Sequence, residues 1–165
     1  MAEIIGRAAP PASVRILRLG DRDIQRLRRL NALFADAFED PGSYAGALPD
    51  DAYLEGLLAK QHIIVLVAEE RDAIVGGLVA IEIDKWEQAR REIYIYDLAV
   101  SADRRREGIA TALIGRLQLL AVDRGAPVIF VQADDGDEPA IALYASLGTR
   151  KDVMHFDIPV TVGAR

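Results

Sequence analysis

The segment "VSADRRREGIATAL" (residues 100–113) has the composition of an anion-binding turn in an otherwise acidic chain. Arg104, Arg105 and Arg106 precede Gly108 and the apolar spacing of a helix, whereas the whole chain carries 20 Lys+Arg against 26 Asp+Glu. The first N–H groups of a helix lack intrahelical partners, and the helix dipole gives that end partial positive charge. Gly108 would allow close backbone approach. These features favour phosphate, although a solvated, arginine-rich helix start would have the same composition.

Carboxylates are concentrated in two places that suit a cationic ligand. Asp97 stands near the end of the strand-like segment "REIYIYDLAV", and a carboxylate held near an amine can accept its proton. The second place is "ADDGDEPA", where four carboxylates fall within five residues: Asp134, Asp135, Asp137 and Glu138. One of the four is expected to cap the helix that follows. Four exceed what a cap needs, so the segment favours a polycation.

The composition excludes several kinds of site and partner. A length of 165 residues predicts one domain. Because the chain has no cysteine, disulfides, thiolate metal sites and a cysteine nucleophile are excluded, and two histidines without ligand spacing give no metal site. The net charge of −6 argues against nucleic acid as a partner. No apolar run approaches the roughly 20 residues of a membrane span. We therefore expect a cytoplasmic protein without a membrane or nucleic-acid partner.

Hydrophobic periodicity predicts elements in the order β-α-α-β-β-β-α-β-α-β. Residues 1–12 are interpreted as a flexible tail and residues 13–165 as a single domain. The predicted elements are a strand over 13–19, a helix over 22–37, a helix from Asp50 or Asp51 through Lys60, the hairpin of "HIIVLVAEE" and "AIVGGLVAIEID", a strand over 91–100, a helix over about 107–124, the strand "VIFVQA", the short helix "EPAIALYASLG" and the strand "VMHFDI". Asp21 is placed to cap the first helix. The segment 40–50 is predicted to be a loop, and a solvated surface is expected for Asp36, Glu39, Asp40 and Tyr44.

Two motifs carry a resemblance to a known family. The spacing Arg105-x-x-Gly108-x-Ala110 resembles the pyrophosphate loop of the GNAT superfamily of acyl-coenzyme A N-acyltransferases, and "DEPAIALYASLG" resembles that family's closing helix. Longer segments, above all "REIYIYDLAVS" and "VIFVQADDGDEPAIALYASLG", resemble the type I aminoglycoside 3-N-acetyltransferases. The resemblance implies an α/β fold of mixed α+β type, in which a central, mostly antiparallel mixed sheet is flanked by helices.

The resemblance also implies a reaction and the residues that perform it. The acetyl donor would be acetyl-CoA, and the acceptor would be the 3-amino group of a deoxystreptamine aminoglycoside. The implied catalytic groups are the Asp97 carboxylate as base, the Leu98 N–H as oxyanion donor and the Tyr144 phenol as acid. The implied cofactor-binding residues are Leu98, Ala99, Val100, Arg105, Arg106, Glu107, Gly108, Ile109, Ala110, Thr111, Asp137 and Tyr144. Charge makes Asp97, Asp134, Asp135, Asp137 and Glu138 the expected acceptor-binding residues, and Tyr94 could either line the acceptor cleft or pack within its strand.

Several alternatives stay open from the residues themselves. Asp97 could bind an ammonium group without transferring a proton, and Tyr144 could be a half-buried packing residue. Asp137 departs from the asparagine that many family members have there, and an ionised carboxylate only accepts hydrogen bonds. A polyamine or a protein amine would also suit the acidic segment, and a non-catalytic acyl-CoA-binding module would keep only the arginine loop. Dimers are common in the family, so the resemblance allows a homodimer.

Overall fold

The computed structural model describes residues 9–160, which divide into a unit that ends at Gln132 and a unit that begins at Ala133. Most of the predicted tail (residues 1–8) and the last five residues of the predicted domain (161–165) lie outside the described residues. The elements are β1 Arg15–Arg18, α1 Ile24–Ala37, α2 Pro41–Ala45, α3 Asp51–Leu58, β2 Ile63–Glu70, β3 Ala73–Asp84, β4 Arg91–Val100, a single 3-10 turn Ala102–Arg104, α4 Ile109–Asp123, β5 Ile129–Val131 and α5 Glu138–Leu147.

The first unit is built on one five-stranded sheet with the order β1-β2-β3-β4-β5. The first three pairs are antiparallel and β4 pairs with β5 in parallel, so the prediction of a mixed, mostly antiparallel sheet flanked by helices is confirmed. Arg71 and Asp72 form the tight turn between β2 and β3. Their φ angles of 48° and 66° are positive, as in the two-residue turns whose backbone twist fits the twist of the flanking strands.

Two adjacent glycines of β3 show that helices cover both faces of this sheet. Successive strand residues point to opposite faces. A Cβ on Gly76 would lie 3.3 Å from Ile109 Cγ2 of α4, and a Cβ on Gly77 would lie 2.2 Å from Leu30 Cδ1 of α1. Helix α4 therefore packs on one face and α1 on the other, where α3 joins it through Leu54 and Leu58. The absence of side chains at these two positions allows both helices to approach the strand closely.

One carboxylate is buried on the second strand of the sheet. Glu69 of β2 has only 1% of its side chain exposed. It accepts hydrogen bonds from Arg15 of β1 and Arg26 of α1, each at 2.8 Å. This network ties the N-terminal part of α1 to the first two strands.

Three predictions about the elements are wrong. The segment "VMHFDI" forms no strand, because the described part of the second unit contains only α5 and offers no neighbouring strand for a ladder. The segment 40–50 is not wholly a loop, because Asp40 caps the short helix α2 by accepting a hydrogen bond from the Ser43 N–H. Helix α1 begins after Asp23 rather than Asp21, and no side chain caps it. None of the described helices combines the length and apolar composition of a bilayer-spanning segment.

Candidate active site

Strand β4 has an interrupted register next to Asp97. Val79 of β3 pairs with Asp97, but the next residue, Ala80, pairs with Ile95, so Tyr96 is an extra residue on β4. Such a bulge changes which face the following side chains occupy, and bulges are common beside active sites. Ala80 and Ile95 point to the face of α4, whereas Val79 and Asp97 point to the face of α1 and α3. The bulge therefore delivers the Asp97 carboxylate to the α1 face.

Beyond the bulge, one edge of β4 is open. Strand β5 pairs only with Ile93–Ile95, so the continuation of β4 has no strand partner on that side among the described residues. Ser101 N–H donates to Val75 O, which makes that pair a hydrogen-bonded one, and the pattern alternates along an antiparallel ladder. The backbone groups of Leu98 and Val100 consequently point away from β3, toward the open edge. In agreement, the Val100 carbonyl accepts a hydrogen bond from Arg105 Nε at 3.4 Å.

The Asp97 carboxylate is half-buried and bonded to a phenol. Tyr44 of α2 donates a hydrogen bond from its hydroxyl to Asp97 Oδ1 at 2.9 Å. Burial raises the pKa of Asp97 above its ordinary value, and the Tyr44 hydrogen bond opposes part of that rise. The carboxylate borders a mostly apolar cavity of about 280 Å³ on the α1 face, whose lining includes Phe34, Leu54, Val65, Val79 and Tyr96.

The N-terminus of α4 presents free backbone donors. Gly108 holds the N-cap position with φ 78° and provides no capping side chain. The Ala112 N–H donates to the Gly108 carbonyl and is the first N–H of the helix with a backbone acceptor. The N–H groups of Ile109, Ala110 and Thr111 have no acceptor among the described residues. Ile109 is buried under the sheet, which fixes the direction of the helix. An anion placed at this end would meet three aligned donors and the positive end of the helix dipole.

The three arginines before this helix have different roles. Arg104 is held by carboxylates, donating to Glu70 of β2 and to Glu107 at 3.0 Å. It therefore anchors the loop and is already neutralised. Arg105 and Arg106 are exposed, and Arg106 has a φ of 66°, which non-glycine residues rarely adopt. The positive charge available to a ligand comes from these two side chains.

The other predicted residues of the first unit have structural roles as well. The Ala99 side chain is buried in the core beneath α1, so only its backbone lies along β4. Tyr94 stacks on Phe130 at 5.1 Å between ring centroids, and its hydroxyl donates to Gln132 Oε1 at 3.0 Å. Tyr94 therefore connects β4 to β5 in the part of the sheet where these two strands are paired.

The second unit carries the remaining predicted residues. Asp137 caps α5 by accepting a hydrogen bond from the Ala140 N–H at 3.2 Å, which confirms the expected cap. Asp134, Asp135 and Glu138 are exposed. Burial first, and the Asp137 carboxylate second, raise the pKa of Tyr144 to about 12, so its phenol is protonated at neutral pH.

The expectation that Tyr44 lies on a solvated surface is wrong. Its ring packs against Phe34 and Phe38, with centroid distances of 5.7 Å to each, and its hydroxyl is bonded to Asp97. The sequence does contain a signal for the short helix that carries this tyrosine. Asp40 followed by Pro41 is a typical helix start, with a capping side chain and a proline in the first turn.

The first unit brings together three kinds of chemical group within the segment from β4 to the start of α4. Asp97 can accept a proton, the backbone N–H groups at the open edge of β4 can hold a polarised oxygen or an amide, and the start of α4 can bind an oxyanion. These are the requirements of acyl transfer from a phosphate-bearing thioester.

Comparison with known proteins gives the same family from sequence and from fold. A model of the acetyltransferase (GNAT) family matches residues 27–149. N-acetyltransferase 8 of Homo sapiens is 30% identical over 90 residues, and N-acetyltransferase 8B of Rattus norvegicus is 29% identical over 90 residues. Each match covers 54% of this chain and 40% of the relative, so the chain spans well under two thirds of these relatives' length.

Solved structures match over nearly their whole length. An aminoglycoside acetyltransferase from an uncultured soil metagenomic sample is 51% identical with a TM-score of 0.89, covering 90% of this chain and 99% of that one. A second such enzyme, solved in complex with sisomicin, is 30% identical with a TM-score of 0.84, covering 90% and 97%. Since the family model spans most of the chain and the sheet with its flanking helices matches these structures, the chain belongs to the GNAT acetyltransferase family and has its fold.

Proposed function

We propose that this protein transfers the acetyl group of acetyl-CoA to the 3-amino group of a deoxystreptamine aminoglycoside, by direct attack in a ternary complex. The observation that carries the proposal is the half-buried carboxylate of Asp97 on β4, the strand whose open edge leads through a short connection to the uncapped start of α4. The same strand would thus serve both donor and acceptor.

The residues present fit acetyl-CoA. The three free N–H groups from Ile109 to Thr111, with Arg105 and Arg106 beside them, suit a diphosphate. The outward-pointing backbone groups of Leu98 and Val100 suit the amides of a pantetheine arm, which would have to displace the Arg105 contact to the Val100 carbonyl. When bound, acetyl-CoA supplies an activated acetyl group and a thiolate that leaves.

The protein's own groups would manage the protons and the developing negative charge. A free alkyl amine is largely protonated at pH 7 and must lose a proton before it can attack. Asp97 would accept that proton, directly or through a water molecule. The Leu98 N–H would stabilise the oxyanion, a contribution typically worth about 10²–10³ in rate. By the family resemblance, the Tyr144 phenol, which stays protonated at neutral pH because burial raises its pKa, would return a proton to the departing sulfur.

The choice of acceptor rests on the similar structures and on charge. Both metagenomic neighbours are aminoglycoside acetyltransferases, and one of them was solved with sisomicin bound. Aminoglycosides carry several ammonium groups, and this chain has the exposed carboxylates Asp134, Asp135 and Glu138 in its second unit. The 3-amino position is proposed from the motif resemblance. A polyamine would suit the same charges and is the competing acceptor.

Substitution of Asp97 tests the proposal. Asp97→Asn keeps an oxygen that can accept the Tyr44 hydrogen bond but removes the base, so kcat should fall about 10²–10⁴-fold with little change in acetyl-CoA affinity. Thiol release over a panel of aminoglycosides and spermidine measures the activity, and NMR of the product identifies the acetylated nitrogen. Asp123→Asn, an exposed carboxylate at the end of α4, is the matched control and should leave turnover unchanged.

Two results would contradict the proposal. Undiminished turnover in Asp97→Asn would remove this carboxylate from the mechanism. Acetylation of spermidine at a higher kcat/KM than any aminoglycoside would reassign the acceptor.

A further inference from the structure

Helix α2 and the end of α1 form an aromatic cluster around one phenol. Phe34 and Phe38 stack with their ring centroids 5.4 Å apart, and the Tyr44 ring lies 5.7 Å from each. From this cluster the Tyr44 hydroxyl reaches across to β4 and donates to Asp97 Oδ1 at 2.9 Å. The two ends of one side chain are therefore fixed independently, the ring by packing and the hydroxyl by a carboxylate 53 positions away in the chain.

The short helix that carries this tyrosine is itself well anchored. Asp40 caps it by accepting from the Ser43 N–H at 3.0 Å, and Pro41 occupies its first turn. The Asp40 N–H donates to the Ala35 carbonyl at 3.1 Å, so α2 follows α1 without a flexible link. The position of the phenol is consequently set by the packed end of α1.

The hydrogen bond uses one of the two carboxylate oxygens. Among the described residues, Asp97 has no arginine, lysine or histidine partner, and Tyr44 is its side-chain hydrogen-bond donor. With Oδ1 occupied, Oδ2 is left to accept from another group. A phenol at one oxygen thus determines the rotation of the carboxylate and the direction in which the second oxygen points.

We propose that Tyr44 is a positioning residue for Asp97, holding Oδ1 so that Oδ2 faces the amine of the acceptor. This inference rests on the proposed function of Asp97 as the base. Tyr44 itself does not exchange a proton with the substrate, because its hydroxyl hydrogen is already donated to Asp97 Oδ1. Burial first, and this hydrogen bond second, raise the pKa of the phenol.

The surroundings of Asp97 determine the direction of the pH effect. Among the described residues, the titratable groups that face it are phenols: Tyr44 from α2, Tyr94 and Tyr96 from its own strand, and Tyr53 from α3 across the cavity. The charge of Asp40, at the start of α2, acts on Tyr44. The α1 and β3 residues around the same cavity are uncharged, among them Asn31, Phe34 and Val79. Since the Tyr44 hydrogen bond lowers the pKa of Asp97, its removal must raise that pKa further.

Tyr44→Phe is the direct test, because it keeps the ring in the aromatic cluster and removes only the hydroxyl. Two readouts are expected to move together. The acid limb of the kcat/KM profile for acetyl transfer should shift to higher pH, and kcat should fall about 10-fold while the KM for acetyl-CoA stays unchanged. In ¹³C NMR of aspartate-labelled protein, the Asp97 carboxyl, identified by its absence from Asp97→Asn, should titrate at higher pH.

A double variant separates positioning from a general effect on the fold. In the Asp97→Asn background, Tyr44→Phe should cause little further loss of kcat, since its effect acts through the carboxylate. Multiplicative losses in the double variant, or an unmoved acid limb and carboxyl titration in Tyr44→Phe, would overturn the inference. If the wild-type protein acetylated no aminoglycoside while the carboxyl titration still moved, the proposed function would fail and the Tyr44–Asp97 coupling would stand.

Discussion

The close approach of α1 to β3 can be tested by adding a single methyl group at Gly77. A Cβ at this position would lie 2.2 Å from Leu30 Cδ1 and 3.1 Å from the Leu66 carbonyl oxygen. Leu30 is fully buried in the core cluster, so it cannot swing into solvent to make room. Overpacking of this kind costs about 1–3 kcal/mol, and we expect Gly77→Ala to lose that much stability in urea denaturation.

A double variant with Leu30→Ala tests whether Leu30 is the side chain that opposes the added methyl group. Alone, Leu30→Ala should cost about 2–5 kcal/mol by leaving a cavity. In the double variant the added methyl group meets empty space instead of the leucine, so the combined loss should be smaller than the sum by about 1 kcal/mol or more. Gly56→Ala is the matched control, because nothing lies within 4 Å of its added Cβ inside α3, and it should stabilise the protein by about 0.5–1 kcal/mol. Equal losses for Gly77→Ala with and without Leu30 would refute the packing argument.

Two further predictions concern the start of α4 and the buried carboxylate. Gly108→Ala should weaken acetyl-CoA binding in calorimetry and cost about 1 kcal/mol of stability, whereas Gly125→Ala, at a φ of 67° after the other end of α4, should cost similar stability and leave binding unchanged. Glu69→Gln should cost about 2 kcal/mol at pH 7, because Arg15 and Arg26 lose their shared charge. The Arg26 hydrogen bond lowers the pKa of Glu69, so this difference in unfolding free energy should shrink as the pH falls below about 4, and a constant difference would contradict it.

The elements with strong periodicity were predictable from the sequence. Strand β4 spans the predicted residues 91–100, and the β2–β3 hairpin forms around the predicted turn. The glycine that begins α4 and the cap at Asp137 were also predictable, because each depends on a local rule of helix termini.

The features that decide the site were harder to predict, because they depend on contacts between distant segments. Nothing near Tyr44 in the sequence indicates a partner on β4, and nothing near Arg104 indicates that Glu70 neutralises it. The strand predicted for "VMHFDI" has the right alternation, but a strand forms only when a neighbour completes its ladder. The local sequence pattern predicts which segments can form strands, whereas the tertiary structure determines which segments have a neighbouring strand to pair with.

The extra residue at position 96 determines what a one-residue deletion in this strand would do. Loss of that codon would restore regular pairing between β3 and β4, and Asp97 would keep Val79 as its partner and its place on the α1 face. The strand would lose the additional local twist that a bulge gives it. A deletion at position 96 would therefore separate the contribution of strand twist from that of the carboxylate itself, which no point substitution can do.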